Sequence, residues 1–134
     1  MKDYILYQNL LKEVASGRVS MSQTGNLQIF KYTQDTHVQG LWNDINRQAR
    51  GIIMHSDGTV IARPFPKFFN LGEVSETELA NLPWEESFDV FEKVDGSCGI
   101  GYCYWGQWQL ATPGSLTSTQ AVQGTAMLGL YDMS

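Results

Sequence analysis

The sequence predicts an α+β domain of antiparallel sheets with flanking helices, and two observations carry that prediction. Strand-like runs come in pairs joined by tight turns, at Ser56-Asp57-Gly58 and at Trp105-Gly106, as antiparallel hairpins require and a doubly wound parallel sheet does not. Helix-like runs with their own start or stop signals stand beside these pairs. The length of 134 residues, 43% of them apolar and four of them tryptophan, is enough for one domain with a core of its own. There are no repeats, low-complexity tracts or linker-like stretches.

Taken in order, Asp3 to Ala15 sets Ile5, Leu6, Leu10, Leu11 and Val14 at helical spacing, with Gly17 placed to end an amphipathic helix. Lys2, Asp3, Gln8, Asn9, Lys12 and Glu13 interrupt the apolar positions, so this start reads as neither a signal peptide nor a membrane span. A cytoplasmic location and no membrane partner are expected. Gln28 to Tyr32 reads as a strand. Gly51 to His55 and Thr59 to Arg63 flank an Asp-Gly turn and read as a hairpin. Ser75 with Glu78 forms a capping box for a short helix ending before Pro83. Ser87 to Lys93 reads as a strand, and Cys98 to Tyr104 turns through Trp105-Gly106 into Gln107 to Thr112. Thr117 with Gln120 is a second capping box, opening a helix through Val122, Ala126, Met127 and Leu130.

Cys98 and Cys103 are five apart in a strand-like run, which points them to opposite faces and argues against a mutual disulfide. They read as buried thiols. His37 and His55 have no Cys or carboxylate neighbours at ligand spacing, so no metal site is expected. Nine basic against fourteen acidic side chains give a net charge of −5, a repulsive average field for a nucleic acid. The acids crowd between Gly72 and Asp89, however, and read as a solvated face. Arg50, Arg63, Lys67 and Lys93 lie elsewhere, so local positive charge remains available to a site.

The run Phe91-Glu92-Lys93-Val94-Asp95-Gly96-Ser97 sets a lysine between an apolar strand pattern and a tight acidic glycine turn. It reads as a nucleophile mount, with a small neighbour that lets phosphates approach the backbone. An Asp-Gly hairpin turn with Lys93 in solvent is the plain alternative, and a chain this long contains Lys-x-Asp-Gly by chance on the order of a few per cent of the time. Its surroundings decide. Arg50-Gly51-Ile52-Ile53 lies upstream, followed by Arg63-Pro64-Phe65-Pro66-Lys67-Phe68-Phe69-Asn70-Leu71-Gly72-Glu73. Gly114-Ser115-Leu116-Thr117-Ser118-Thr119-Gln120-Ala121 lies downstream.

With these segments in order, the chain from about Ile29 to Ala121 resembles the ATP-dependent RNA ligases of the bacteriophage tRNA-repair type. These are RNA ligase 1-like members of the covalent lysine nucleotidyltransferases. The resemblance implies a partial nucleotidyltransferase (ATP-grasp-like) domain, of which residues 1–134 would be a truncated N-terminal portion. It implies that Lys93 attacks the α-phosphate of ATP, with Mg²⁺ as cofactor, and passes AMP to an RNA 5′-phosphate for sealing to a 3′-hydroxyl. The partners would be RNA ends, nicked tRNA among them, in RNA repair. An amine nucleophile must be neutral, and lowering a lysine's ordinary pKa of roughly 10.4 by ~3 units costs roughly 4 kcal/mol. Lys67, Arg50 and a nucleotide-bound Mg²⁺ would supply the neighbouring charge for this.

The same resemblance assigns nucleotide-binding roles. Arg50 and Lys67 would hold the triphosphate, although Lys67 sits in an aromatic segment where packing is the alternative. Tyr32 matches a nucleotide-contacting tyrosine, against a packing role at a strand end. Glu92 would offer its backbone to the adenine edge, while Asp95 and Gly96 shape the lysine's turn and Asp95 could orient a hydrated metal. Phe68 and Phe69 are expected in the core, and Asn70 is expected to fix a turn. Gly99 and Gly101 would clear room on one strand face. Two departures stand out: Pro113 occupies the place of a basic residue before Gly114-Ser115, and the chain stops at Ser134 before the later carboxylates and lysines of the pattern. An inactive nucleotide- or RNA-binding remnant is therefore the alternative. DNA ligases and capping guanylyltransferases share Lys-x-Asp-Gly but fit Lys67-Phe68-Phe69-Asn70 less well.

Overall fold

Asp3 opens the first helix by accepting a hydrogen bond from the Leu6 N–H at 3.0 Å, which caps α1 (Tyr4–Ala15). The computed structural model describes residues 1–131. Leu6, Tyr7 and Leu10 of α1 are buried against Val19, Phe30, Ile52 and Met54 of a four-stranded sheet. Each such side chain contributes roughly 1.5–3 kcal/mol by leaving water. The strands are β1 (Val19–Thr24), β2 (Leu27–Tyr32), β3 (Arg50–His55) and β4 (Val60–Ala62), antiparallel throughout and in the order β1-β2-β3-β4.

Alternation along the same strands sends Leu27, Ile29 and Ile53 to the opposite face. There they meet Ile100, Tyr102 and Ala111 from a separate hairpin, β5 (Ile100–Tyr104) and β6 (Gln107–Ala111). Trp105 and Gly106 turn this hairpin with φ of 54° and 74°, the two positive values of a type I′ turn. A short α2 (Gln34–Gln39), capped by Thr33, follows β2, and α3 (Thr119–Leu128) lies on β6. The α3 contact is close: a Cβ on Gly124 would lie 2.7 Å from Leu110 Cδ1, and Thr125 Oγ1 accepts from the Leu110 N–H at 2.9 Å. The α+β class, the antiparallel sheets and the flanking helices match the sequence reading.

Several local expectations are corrected. Ser87 to Lys93 forms no strand: residues 87–99 carry neither helix nor strand and are exposed throughout. The pattern is strand-like, but among the described residues no partner strand meets it, and an unpaired strand has nothing to close its ladder. The Ser75–Glu78 capping box gives way to two 3₁₀ turns, Ser75–Thr77 and Leu79–Asn81, which bury none of their residues. Here the Thr77 hydroxyl accepts from the Val74 N–H at 3.2 Å. The second cap lies one residue later than expected, where Ser118 Oγ accepts from the Ala121 N–H at 3.1 Å. Cys98 and Cys103 are free and exposed, not buried. Phe68 is 56% exposed and so lies outside the core. The acidic side chains from Glu73 to Asp89 are solvated as expected. The expectation about the chain end at Ser134 lies outside the described residues. No helix among the described residues is long and apolar enough to cross a membrane.

Candidate functional site

Tyr32 closes β2 where its N–H donates to the Ala49 carbonyl at 2.6 Å. Its ring stands edge-on to Trp42 at 4.9 Å, and Trp42 stands edge-on to Phe69 at 5.5 Å. Lys67 reaches the same stack from the proline-stiffened segment after β4, whose backbone is pinned by the Lys67 N–H donating to the Arg47 carbonyl at 2.7 Å. The Lys67 ammonium donates to the Phe68 carbonyl at 2.8 Å and sits 4.7 Å from the Phe69 ring centre and 5.8 Å from that of Trp42. Arg50 opens β3 with its guanidinium 4.7 Å over the Phe68 ring. The aromatic run that looked like core in the sequence is a partly exposed shelf under three cations, Arg47 lying 5.0 Å over the Phe69 ring as well.

Gly51 brings further segments to this place. Its φ of +99° lies where side chains are strained, and a Cβ there would sit 2.1 Å from Ile100 Cδ1 and 3.0 Å from Pro113 Cα. Arg50-Gly51, the start of β5 and the Pro113-Gly114 loop therefore meet at one point. Beside it a groove of about 540 Å³ opens between the segment Ile61 to Pro66 and the run Cys98 to Cys103, with Arg50 and Trp108 also in its wall. Gly101 faces open space, with nothing within 4 Å of where a Cβ would be. Gly99 is closed in by Leu110, whose Cδ2 would be 3.3 Å from such a Cβ. Burial raises the Tyr102 phenol above its ordinary pKa of 10.0, and its hydroxyl donates to Gln109 Oε1 at 3.2 Å.

Lys93 stands apart from that cluster. Its side chain is 83% exposed, with Nζ 4.0 Å from Asp95 Oδ1, and Glu92, Asp95 and Gly96 are exposed on the same irregular segment. Among the described residues no hydrogen bond or ion pair joins Lys93 to Tyr32, Arg50 or Lys67. The segment does run directly into the groove wall at Cys98. Among the described residues no three His, Cys, Asp or Glu side chains group to hold a metal. Trp42, which joins Tyr32 to Phe69, was invisible to sequence reasoning. A lone tryptophan after Gly40-Leu41 carries no motif, and only the fold brings it between two other motif segments.

Residues 48–131, which include Arg50, Lys67, Lys93 and Gly114-Ser115, match the model of a family described as RNA ligase. The chain belongs to that RNA ligase family. Among individual proteins, it is 38% identical over 89 residues to a candidate RNA ligase of Thermovibrio ammonificans, covering 66% of this chain and 23% of that one. It is 42% identical over 81 residues to RNA ligase 1 of Bacteriophage TS2126, covering 52% of this chain and 19% of that protein. A candidate bifunctional polynucleotide kinase/RNA ligase of Autographa californica nuclear polyhedrosis virus is 35% identical over 79 residues, 51% of this chain and 11% of its own length. The chain thus spans between about a tenth and a quarter of the length of these RNA ligase relatives.

Proposed function

We propose that this chain is the N-terminal part of the adenylylation domain of an ATP-dependent RNA ligase, acting through a covalent Lys93-AMP. The Lys93 Nζ lone pair attacks the α-phosphorus of ATP, the bond to the β-phosphate oxygen breaks, pyrophosphate leaves, and the amine proton goes to solvent. An RNA 5′-phosphate oxygen then attacks the same phosphorus and expels Lys93, and a 3′-hydroxyl finally displaces AMP from the RNA end. Arg50 and Lys67 hold the triphosphate, where their charge counters the charge that builds up on its oxygens. Tyr32 contacts the nucleotide from the stack under Lys67. Glu92 offers its backbone to the adenine, and Asp95 and Gly96 shape the nucleophile's turn. Bound with the nucleotide, Mg²⁺ would supply further positive charge to the phosphate oxygens.

The observation that carries this reading is the meeting at Gly51 of Arg50, the strand that follows the lysine motif, and the Pro113-Gly114 loop, beside a groove with Arg50 and Arg63 in its wall. Motif segments far apart in sequence would have no reason to converge on a concave surface if each were an ordinary turn. The test is sealing. With ATP, Mg²⁺ and a 5′-phosphorylated single-stranded RNA, the full natural protein is expected to give adenylylated RNA and then joined product, both dependent on the 5′-phosphate. Use of GTP without sealing would point to a capping guanylyltransferase. No nucleotide turnover at all would make the chain an inactive remnant.

A further inference from the structure

Five of the nine Lys and Arg side chains have a carboxylate within 4.0 Å: Lys2, Arg18, Arg47, Arg63 and Lys93. Lys12, Lys31, Arg50 and Lys67 have none among the described residues. Lys12 is an exposed residue of α1, whereas Arg50 is linked to each of the other two. Lys31 and Arg50 are direct partners across β2 and β3, next to a register shift between Phe30 and Lys31. Arg50 and Lys67 share Phe68, one over its ring and the other bonded to its carbonyl. Like charges facing each other across a strand pair cost stability, and no acid among the described residues relieves this pair.

The exposed Lys31 stem also passes close to another motif segment. A Cβ on Gly114 would lie 3.4 Å from Lys31 Cδ, so the side chain runs along the Pro113-Gly114 loop that packs on Gly51. Lys31 further lines a second cavity of about 550 Å³, together with Tyr32, Thr33 and His37, while Arg50 lines the groove beside Gly51. The two cations, paired across β2 and β3, therefore each open onto a concave surface, Lys31 onto one and Arg50 onto the other.

We infer that Lys31 is a phosphate-binding residue that completes a three-cation cradle with Arg50 and Lys67. The ligand chemistry is a phosphate oxyanion, supplied either by the polyphosphate tail of the nucleotide or by the 5′-phosphate of the RNA. This rests on the reading of the site as a ligase site, but its test does not need bond formation. The full chain is titrated calorimetrically with inorganic tripolyphosphate, and separately with a short oligoribonucleotide with and without a 5′-phosphate. Lys31→Met keeps the stem and removes the charge. It is expected to leave the thermal midpoint without ligand unchanged or higher, since repulsion is relieved, and to weaken one of the two phosphate ligands roughly tenfold or more. Lys31→Arg should restore that affinity. Weaker tripolyphosphate binding assigns the cradle to the nucleotide, and loss of the preference for the 5′-phosphate assigns it to the RNA end. The inference is overturned if Lys31→Met binds both ligands as the unaltered chain does, or if the unaltered chain binds neither. Failure to form Lys93-AMP, with Lys31-dependent binding intact, would instead overturn the ligase reading alone.

Discussion

At Gly51 the backbone holds φ +99° with Ile100 and Pro113 pressed against the missing side chain. Gly51→Ala meets both the strained dihedral and a backbone atom that cannot move aside, at a cost of roughly 2 kcal/mol or more. A fall in thermal midpoint of roughly 6–10 °C is expected, measured by calorimetry. Lys67 makes a different demand. Its ammonium sits over Phe69 and bonds the Phe68 carbonyl, contacts worth about 1 kcal/mol at a partly exposed site. Lys67→Met should therefore nearly keep the midpoint, while the single-turnover rate of adenylylation in the full natural protein collapses. An unchanged rate would remove Lys67 from the triphosphate. In the β3–β4 turn, hydrogen bonds from Thr59, with help from His55 and Lys2, hold the Asp57 carboxyl down to about 2, from an ordinary 3.8. A depressed acid stabilises the fold fully above its unfolded value and stops doing so as pH falls through the folded one. The Asp57 contribution should thus persist down to pH 4 and disappear toward pH 2. A carboxyl titration near pH 4, followed by NMR, would contradict this.

The elements legible in the sequence were those whose pattern and partner are both local. Helix α1 showed itself by spacing, and the hairpins at Asp57-Gly58 and Trp105-Gly106 by their turns. β1 went unread because Ser20, Ser22, Gln23 and Thr24 hide the Val19/Met21 alternation, although Gly25-Asn26 is the hairpin signal that could have found it. α2 is too short for periodicity, and its anchor is a buried Thr36 hydroxyl donating to the Arg18 carbonyl at 2.8 Å, a contact no local pattern encodes. The opposite error came at Ser87 to Lys93, where Phe88, Val90 and Phe91 write a strand that stays exposed and unpaired. Strand propensity is largely packing against neighbours, so a pattern without neighbours does not become a strand. Amide hydrogen exchange should accordingly be fast from residue 88 to 97 and slow in β2 and β3, where the core strands lie. Protected amides around Lys93 would show a pairing that this arrangement lacks.

Across the whole molecule, all nine cations lie at or before Lys93, and no Lys or Arg follows it. The candidate site's motifs stand in order in the sequence, but Trp42 reaches them only through the Tyr32 and Phe69 rings, and Lys31 comes beside Arg50 only through β-strand register and beside Gly114 through the close approach of its loop. That is tertiary information which no spacing along the chain contains. Lys93 stands in solvent with its own Asp95 the nearest carboxylate, apart from Arg50 and Lys67, so residues 1–134 alone are expected to be poor at phosphoryl transfer. Loss of a major charge contact costs factors of roughly 10² or more, so residues 1–134 alone should form little Lys93-AMP however well they fold. Rapid stoichiometric adenylylation by them would show that the described cations suffice. The central claim is tested by incubating the full natural protein with α-labelled ATP and Mg²⁺, then mapping the adduct by peptide mass spectrometry. A single acid-labile, alkali-resistant AMP on Lys93, absent from Lys93→Ala, is the predicted result; an adduct on another lysine, or one undiminished in that variant, would contradict it.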